Sequence, residues 1–246
     1  PATNAVQSSQ YAAGAGTIKL ATLALDDGGT DLFGDAVAAA ARAGLLTMVH
    51  CEDGALIAHA THALQSSGRG GMQHYPDSRP VLSESAAVER TLAFAEAAHA
   101  PVYLVHVSSR RALDVARAAR ARGQEVFVET RPIYLYLTRT AHEAVDGARF
   151  VGMPPLREET DVDALWRGIA DGVVDTVATD HAPWMLRDKL DPDLDLVTSR
   201  KGVAELDTFL PLLYDRGVRT GRITLERLVA VSAENPARLL GLYPAK

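Results

Sequence analysis

Pro101-Val102-Tyr103-Leu104-Val105-His106-Val107-Ser108-Ser109 is the stretch on which the reading of the fold turns. Pro101 introduces an apolar run of strand length, and the run closes on a histidine. Ser108 or Ser109 then caps a helix that reaches about Arg122, ahead of Gly123. A strand handed directly to an amphipathic helix is one βα unit. The pattern repeats on both sides. Towards the N-terminus, strand 45–50 closes on His50, and strand 17–23 passes through a turn at Asp26-Asp27-Gly28-Gly29-Thr30 to a helix over 31–43, ended by Gly44. The Ser-, Gly- and Pro-rich stretch 66–83 reads as a loop before a helix at 84–99. Towards the C-terminus come strand 125–129, a helix near 161–171 and strand 173–179. Two or three helices follow from about 203, the last opened by Asn235-Pro236.

Five strands joined by crossover helices predict an α/β fold with a parallel sheet: a TIM-type (β/α) barrel, incomplete, holding about strands 4–8 of eight. No repeat, low-complexity tract or linker divides residues 1–246, which read as one partial barrel domain. The start at Pro1 suggests that the first strands lie outside it. An apolar fraction of 47% with 23% charged residues provides ample core. The net charge of −6 offers no field for nucleic acid or an anionic membrane. No apolar run reaches the roughly 18 residues of a membrane span. The single Cys51 fits a reducing cytoplasm. Four lysines stand against twenty-one arginines.

Barrel active sites lie at the C-terminal ends of strands, and there the chain places Lys19, His50, His106 and Asp180. Neutral imidazole is a common ligand for zinc, and a carboxylate both binds metal and accepts a proton from water. Each residue also has a plain structural reading. A strand-end histidine is more often a hydrogen-bonded core group, a strand-end aspartate is often a helix cap, and Lys19 could extend to solvent. Four such residues at the ends of four strands favour a metal site.

Several segments are similar to the dihydropyrimidinase, hydantoinase, allantoinase and dihydroorotase group of the amidohydrolase superfamily. They are Gly16-Thr17-Ile18-Lys19-Leu20 with Asp26-Asp27-Gly28, Val49-His50-Cys51-Glu52-Asp53-Gly54, Ser78-Arg79-Pro80 with Glu84, and Val105-His106-Val107-Ser108-Ser109. Glu129-Thr130-Arg131-Pro132-Ile133-Tyr134-Leu135, Pro154-Pro155-Leu156-Arg157 and Thr179-Asp180-His181-Ala182-Pro183 complete the series in the family's order. The resemblance implies hydrolysis of cyclic amides at two divalent cations, usually zinc. It makes Lys19 a carbamate bridging the metals and His50 and His106 ligands of one. Asp180 becomes both a ligand of the other and the proton shuttle for a hydroxide that attacks the amide carbon. It implies Met153, His181 and Gly202 as substrate-binding positions. It also implies a small cyclic amide or ureide as partner, a homo-oligomer, and an accessory β-domain outside this chain.

The sequence departs from that pattern at several points. The family's H-x-H pair is absent. Ala24 stands where hydantoinases carry an oxyanion-stabilising tyrosine, Met153 where many members carry a substrate-binding serine, and Ile133 where His or Gln is often found. The isolated chain is accordingly expected to be inactive. Two other readings stay open: a catalytically silent, scaffold-like relative, and a hydrolase of linear amides. His59, His62, His99 and His142 read as surface or core-edge groups. His74 sits in a loop that could approach the mouth, and Cys51 reads as packing rather than a nucleophile.

Overall fold

The structure, a computed structural model, describes residues 16–22 and 29–244. The expected turn through Asp26-Asp27-Gly28 and the position of Ala24 lie outside the described residues.

Five parallel strands run in sequential order: β1 (Thr17–Ala21), β2 (Leu46–His50), β3 (Val102–Leu104), β4 (Val126–Thr130) and β5 (Thr176–Val177). Each connection crosses one face of the sheet through helices, which are α1 (Gly29–Arg42), α2 (Gly54–Ser66), α3 (Tyr75–Ser78), α4 (Val81–Ala97), α5 (Arg110–Ala121), α6 (Ile133–Tyr136) and α7 (Glu159–Ala170). After β5 come α8 (Leu186–Lys189), α9 (Phe209–Leu212), α10 (Leu225–Val229) and α11 (Asn235–Leu239). Helices α1, α4, α5 and α7 pack side by side as an outer layer.

The register explains the two layers of core. Ile18, Thr47 and Val102 fall in line, as do Leu20, Val49 and Leu104, while Met48, Tyr103 and Phe127 alternate with them. Because successive strand side chains face opposite ways, the first set meets the helices. Leu20, Val49, Leu104 and Val128 pack there against Val37, Leu92, Leu113 and Ile169. The second set forms a separate inner cluster of Leu46, Tyr103 and Val105 with Met48, Phe127 and Leu239. Helix α5 shows how the outer layer is specified: Ala112, Leu113, Ala116 and Ala119 make its buried stripe, and Ser109 caps it by accepting the Ala112 N–H at 3.3 Å.

After β2 the chain folds at once into α2, capped by Asp53 accepting the Leu56 N–H at 3.0 Å. Three expectations need correction. The supposed loop 66–83 contains a 3-10 turn and α3, and α4 begins at Val81 rather than 84. Strand 173–179 shrinks to Thr176–Val177: the Asp175 N–H still donates to Val128 O at 2.8 Å, but the Val128 N–H is taken by the Asp175 carboxylate at 2.7 Å where a backbone carbonyl would extend the ladder. Finally, His142 is buried rather than peripheral.

The sheet is strongly curved. A flat sheet of this order would hold β1 and β5 about 19 Å apart at the usual strand spacing. Instead Lys19, on β1, brings its Nζ within 3.7 Å of Asp180 Oδ1, just beyond β5. The five units therefore form an arc of a (β/α) barrel, with its mouth at the strand C-termini.

Candidate metal centre

Lys19, His50, His106 and Asp180 all reach this mouth. Lys19 pairs with Met48 in the β1–β2 register and shares its inward face, and His50 ends β2 on the same face. His106 lies beyond β3 and next to inward-facing Val105, so simple alternation would turn it towards the helices. Its backbone adopts φ 42°, and this left-handed turn brings the ring back to His50. Asp180 has φ 45°. Such backbone costs a non-glycine residue about 1–3 kcal/mol and clusters at functional sites. Here it occurs at two of the four residues singled out for metal binding.

His50 Nδ1 lies 2.9 Å from His106 Nε2, with the rings edge-on at a centroid distance of 4.7 Å. His50 Nε2 lies 3.1 Å from Glu52 Oε2. Burial holds the His106 imidazole well below its usual pKa, and the neighbouring His50, Lys19 and Arg131 reinforce this. It is therefore neutral at pH 7, the form that ligates metal. Asp180 bridges two cations, Lys19 through Oδ1 and Arg131 Nη1 through Oδ2 at 3.4 Å. The Lys19 side chain is 44% exposed, so its amine is open to dissolved carbon dioxide.

The donor set fits part of a cation site. Two nitrogens held about 2.0–2.1 Å from a tetrahedral zinc stand about 3.4 Å apart, so the facing pair at 2.9 Å needs only a slight opening. His106 Nδ1 is buried without a hydrogen-bond partner. Among the described residues, no three His, Cys, Asp or Glu side chains form a complete cage. The reason is local: Asp180 is drawn to Lys19 and Arg131, leaving the two histidines as a pair.

Beneath the histidines lies a buried charge network for which the sequence offered no role. Arg79 grips Glu52 with both prongs, Nε to Oε1 at 3.0 Å and Nη2 to Oε2 at 2.5 Å. Burial alone would raise the Glu52 pKa, but the Arg79 charge and His50 outweigh it and hold the carboxyl far below its usual range. Arg157 donates to Ser108 Oγ at 2.9 Å and to the Arg79 carbonyl at 2.6 Å, while Glu84 accepts from the Ser108 N–H at 2.7 Å. Arg131 is paired with Glu205, which also accepts the Ile133 N–H at 3.0 Å. The arginine excess was the available signal, since buried forked pairing favours Arg over Lys.

No family model matches the chain. D-phenylhydantoinase of Escherichia coli is 40% identical over 205 residues, covering 82% of this chain and 44% of that enzyme. The D-hydantoinase (dihydropyrimidinase) from Thermus sp. superposes with a TM-score of 0.90 at 31% identity, covering 95% of this chain and 52% of that one. The L-hydantoinase (dihydropyrimidinase) from Arthrobacter aurescens gives a TM-score of 0.85 at 31% identity, over 95% and 53%. The chain belongs to the hydantoinase and dihydropyrimidinase group of the amidohydrolases. It spans about half the length of these relatives.

Within this hydantoinase-type arc, the three expected substrate positions fall on two connected loops. Met153 is half-buried in the segment 151–154, whose carbonyls are held by side chains. Tyr75 Oη donates to Gly152 O at 3.1 Å, Tyr134 Oη to Pro154 O at 2.7 Å, and Lys189 Nζ to Val151 O at 2.8 Å. Gly202 joins that segment by donating to Val151 O at 3.0 Å, with φ 132° and Ala182 O only 2.6 Å from where a Cβ would sit. His181 Nδ1 accepts the N–H groups of Glu205 and Leu206 at 3.1 and 3.3 Å, which makes it an anchor for the loop that carries Arg131's partner. Lys189, buried beneath Val151 and Gly202, was missed by sequence reasoning. His74 faces Asp77 at 3.4 Å. The Cys51 thiol is pushed up to about 12 by burial, as expected of a packing residue.

Proposed function

We propose that this chain carries much of the active site of a metal-dependent hydrolase that opens cyclic amides of the hydantoin or dihydropyrimidine kind. The observation that carries the proposal is the convergence of Lys19, His50, His106 and Asp180 from four strand ends, in a chain 40% identical to a D-phenylhydantoinase. His50 and His106 would hold one divalent cation. Asp180 and a carbamate on Lys19 would complete a pair of cations, which we take to be zinc. Bound there, the cations would supply Lewis acidity towards the ring carbonyl and make water acidic enough to act at neutral pH.

The remaining chemistry falls to the side chains. The Asp180 carboxylate takes a proton from water and returns it to the ring nitrogen as the C–N bond breaks and the new C–O bond forms. Arg131, bonded to Asp180 Oδ2, keeps that carboxylate turned to the mouth. Lys19, now paired with Asp180, exchanges its positive charge for a negative one on carboxylation and releases the aspartate for this task. Among the described residues, no helix is long and apolar enough to cross a membrane. A cytoplasmic homo-oligomer belongs to the same proposal. The free cysteine fits a reducing compartment, and the oligomer rests on the family resemblance alone.

The test is a substrate panel on the full-length protein purified with zinc: hydantoin, dihydrouracil, and their ring-opened linear amides. Ring opening is expected for a cyclic member. Turnover confined to linear amides, or no turnover together with no bound metal, would remove this reading.

A further inference from the structure

Helix α8, in the connection that leaves Asp180, ends at Lys189, whose side chain is buried. Burial, reinforced by the Arg131 charge, pushes its ammonium down to about 8, and among the described residues no acidic group offsets this. A buried cation without a counter-ion is a costly way to fill space. What the amine supplies, and an apolar side chain of the same length does not, is a link between two loops. It donates to Val151 O at 2.8 Å and to Gly202 O at 2.5 Å. A neutral amine still carries two hydrogens, so both bonds survive loss of the proton. Gly202 closes the triangle, since its N–H donates to the same Val151 O at 3.0 Å.

The segment 151–154 shows what this link holds. Val151 packs with Leu64, Tyr75 and Leu196 in a small cluster apart from the main core. Tyr75 Oη donates to Gly152 O at 3.1 Å, and Tyr134 Oη to Pro154 O at 2.7 Å. Among the described residues, nothing bonds the Met153 N–H or carbonyl. The segment is thus anchored on both sides of an unbonded residue. Of its three side-chain anchors, Lys189 is the one that also reaches Gly202. We propose that Lys189 is a positioning residue that ties these two loops together and sets the gap between Met153 and Gly202. It acts on a substrate through the loops and not by contact. The proposal rests on the substrate positions expected at Met153 and Gly202.

The test compares the full-length protein, purified with zinc, with its Lys189→Met and Lys189→Gln variants. Methionine fills the space without the amine. Glutamine, neutral and shorter, is the milder change and serves if the first variant does not fold. The expected result is a rise in KM for hydantoin or dihydrouracil that lowers kcat/KM by about 10–100-fold, the scale of a displacement of about 1 Å. Metal content should not change. Damage to the fold alone would lower the active fraction, and hence the apparent kcat, and leave KM where it was. Hydrogen exchange should quicken in 151–154 and 199–205 together and in no other segment. A folded variant with unaltered KM would overturn the proposal, as would loss of metal in step with activity. If the unaltered protein opens neither ring, the proposed function fails by itself, and exchange decides the link. Faster exchange in both loops then supports it, and unchanged rates in a folded variant overturn it.

Discussion

His142 lies buried against Tyr75, with ring centroids 5.9 Å apart and neither imidazole nitrogen hydrogen-bonded. Burial, with the nearby charges of Arg139 and Lys189, pushes its pKa down to about 4. The folded state therefore binds this proton less readily than the unfolded chain, where the value is near 6.5. The resulting stability is fully present above pH 6.5 and is lost as the pH falls through 4. Its size is on the order of 3 kcal/mol. Urea unfolding of the chain and of His142→Phe at pH 7 and pH 4.5 should show a smaller acid loss in the variant. Equal losses would mean that His142 does not govern this window.

Gly202→Ala should destabilise the protein by about 1–3 kcal/mol, the usual range for forcing an atom into packed surroundings. The added Cβ would meet the Ala182 carbonyl oxygen at 2.6 Å and Cβ at 2.7 Å, on a backbone of φ 132°. The Lys189 contact to Gly202 O should loosen with it. Thermal unfolding reads the first effect, and amide exchange at Gly202, whose N–H bonds Val151 O, reads the second.

Lys19→Ala in the full-length protein should abolish activity and lower metal content together. Short carboxylic acids, which can stand in for the carbamate, should restore part of both. An alanine variant with full turnover would remove Lys19 from the site.

Asp180→Asn should leave the fold and much of the metal in place while reducing turnover by about 10²–10⁴-fold, the usual contribution of a general base. The amide still reaches Arg131 through its oxygen but accepts no proton from water. Assay at saturating substrate, with metal content measured on the same sample, separates this from simple loss of ligand.

The repeated βα units, the helix cap at Ser109 and the strand-end residues were legible in the sequence, because each depends on local pattern. That Lys19, His50, His106 and Asp180 would approach one another was legible because a parallel barrel brings strand ends together regardless of sequence distance. What stayed hidden depends on tertiary placement. Lys189 sits in a polar, Asp-rich stretch of sequence and reads as solvated, yet two carbonyls from separate loops receive its amine. His142 gives no pattern at all until Tyr75 covers it. The conformations of His106 and Asp180 were equally hidden, since nothing in Val105-His106-Val107 announces a left-handed residue.

The contact between Lys19 and Asp180 also has a mechanical meaning. In a sheet ordered β1 to β5, a displacement at one end passes to the other through every intervening strand. This contact joins the ends of that row directly, between two partly exposed side chains. Such a pair contributes at most about 1 kcal/mol. The curvature is held instead by the helices packed on Leu20, Val49, Leu104 and Val128, so Lys19 and Asp180 can part without reshaping the sheet.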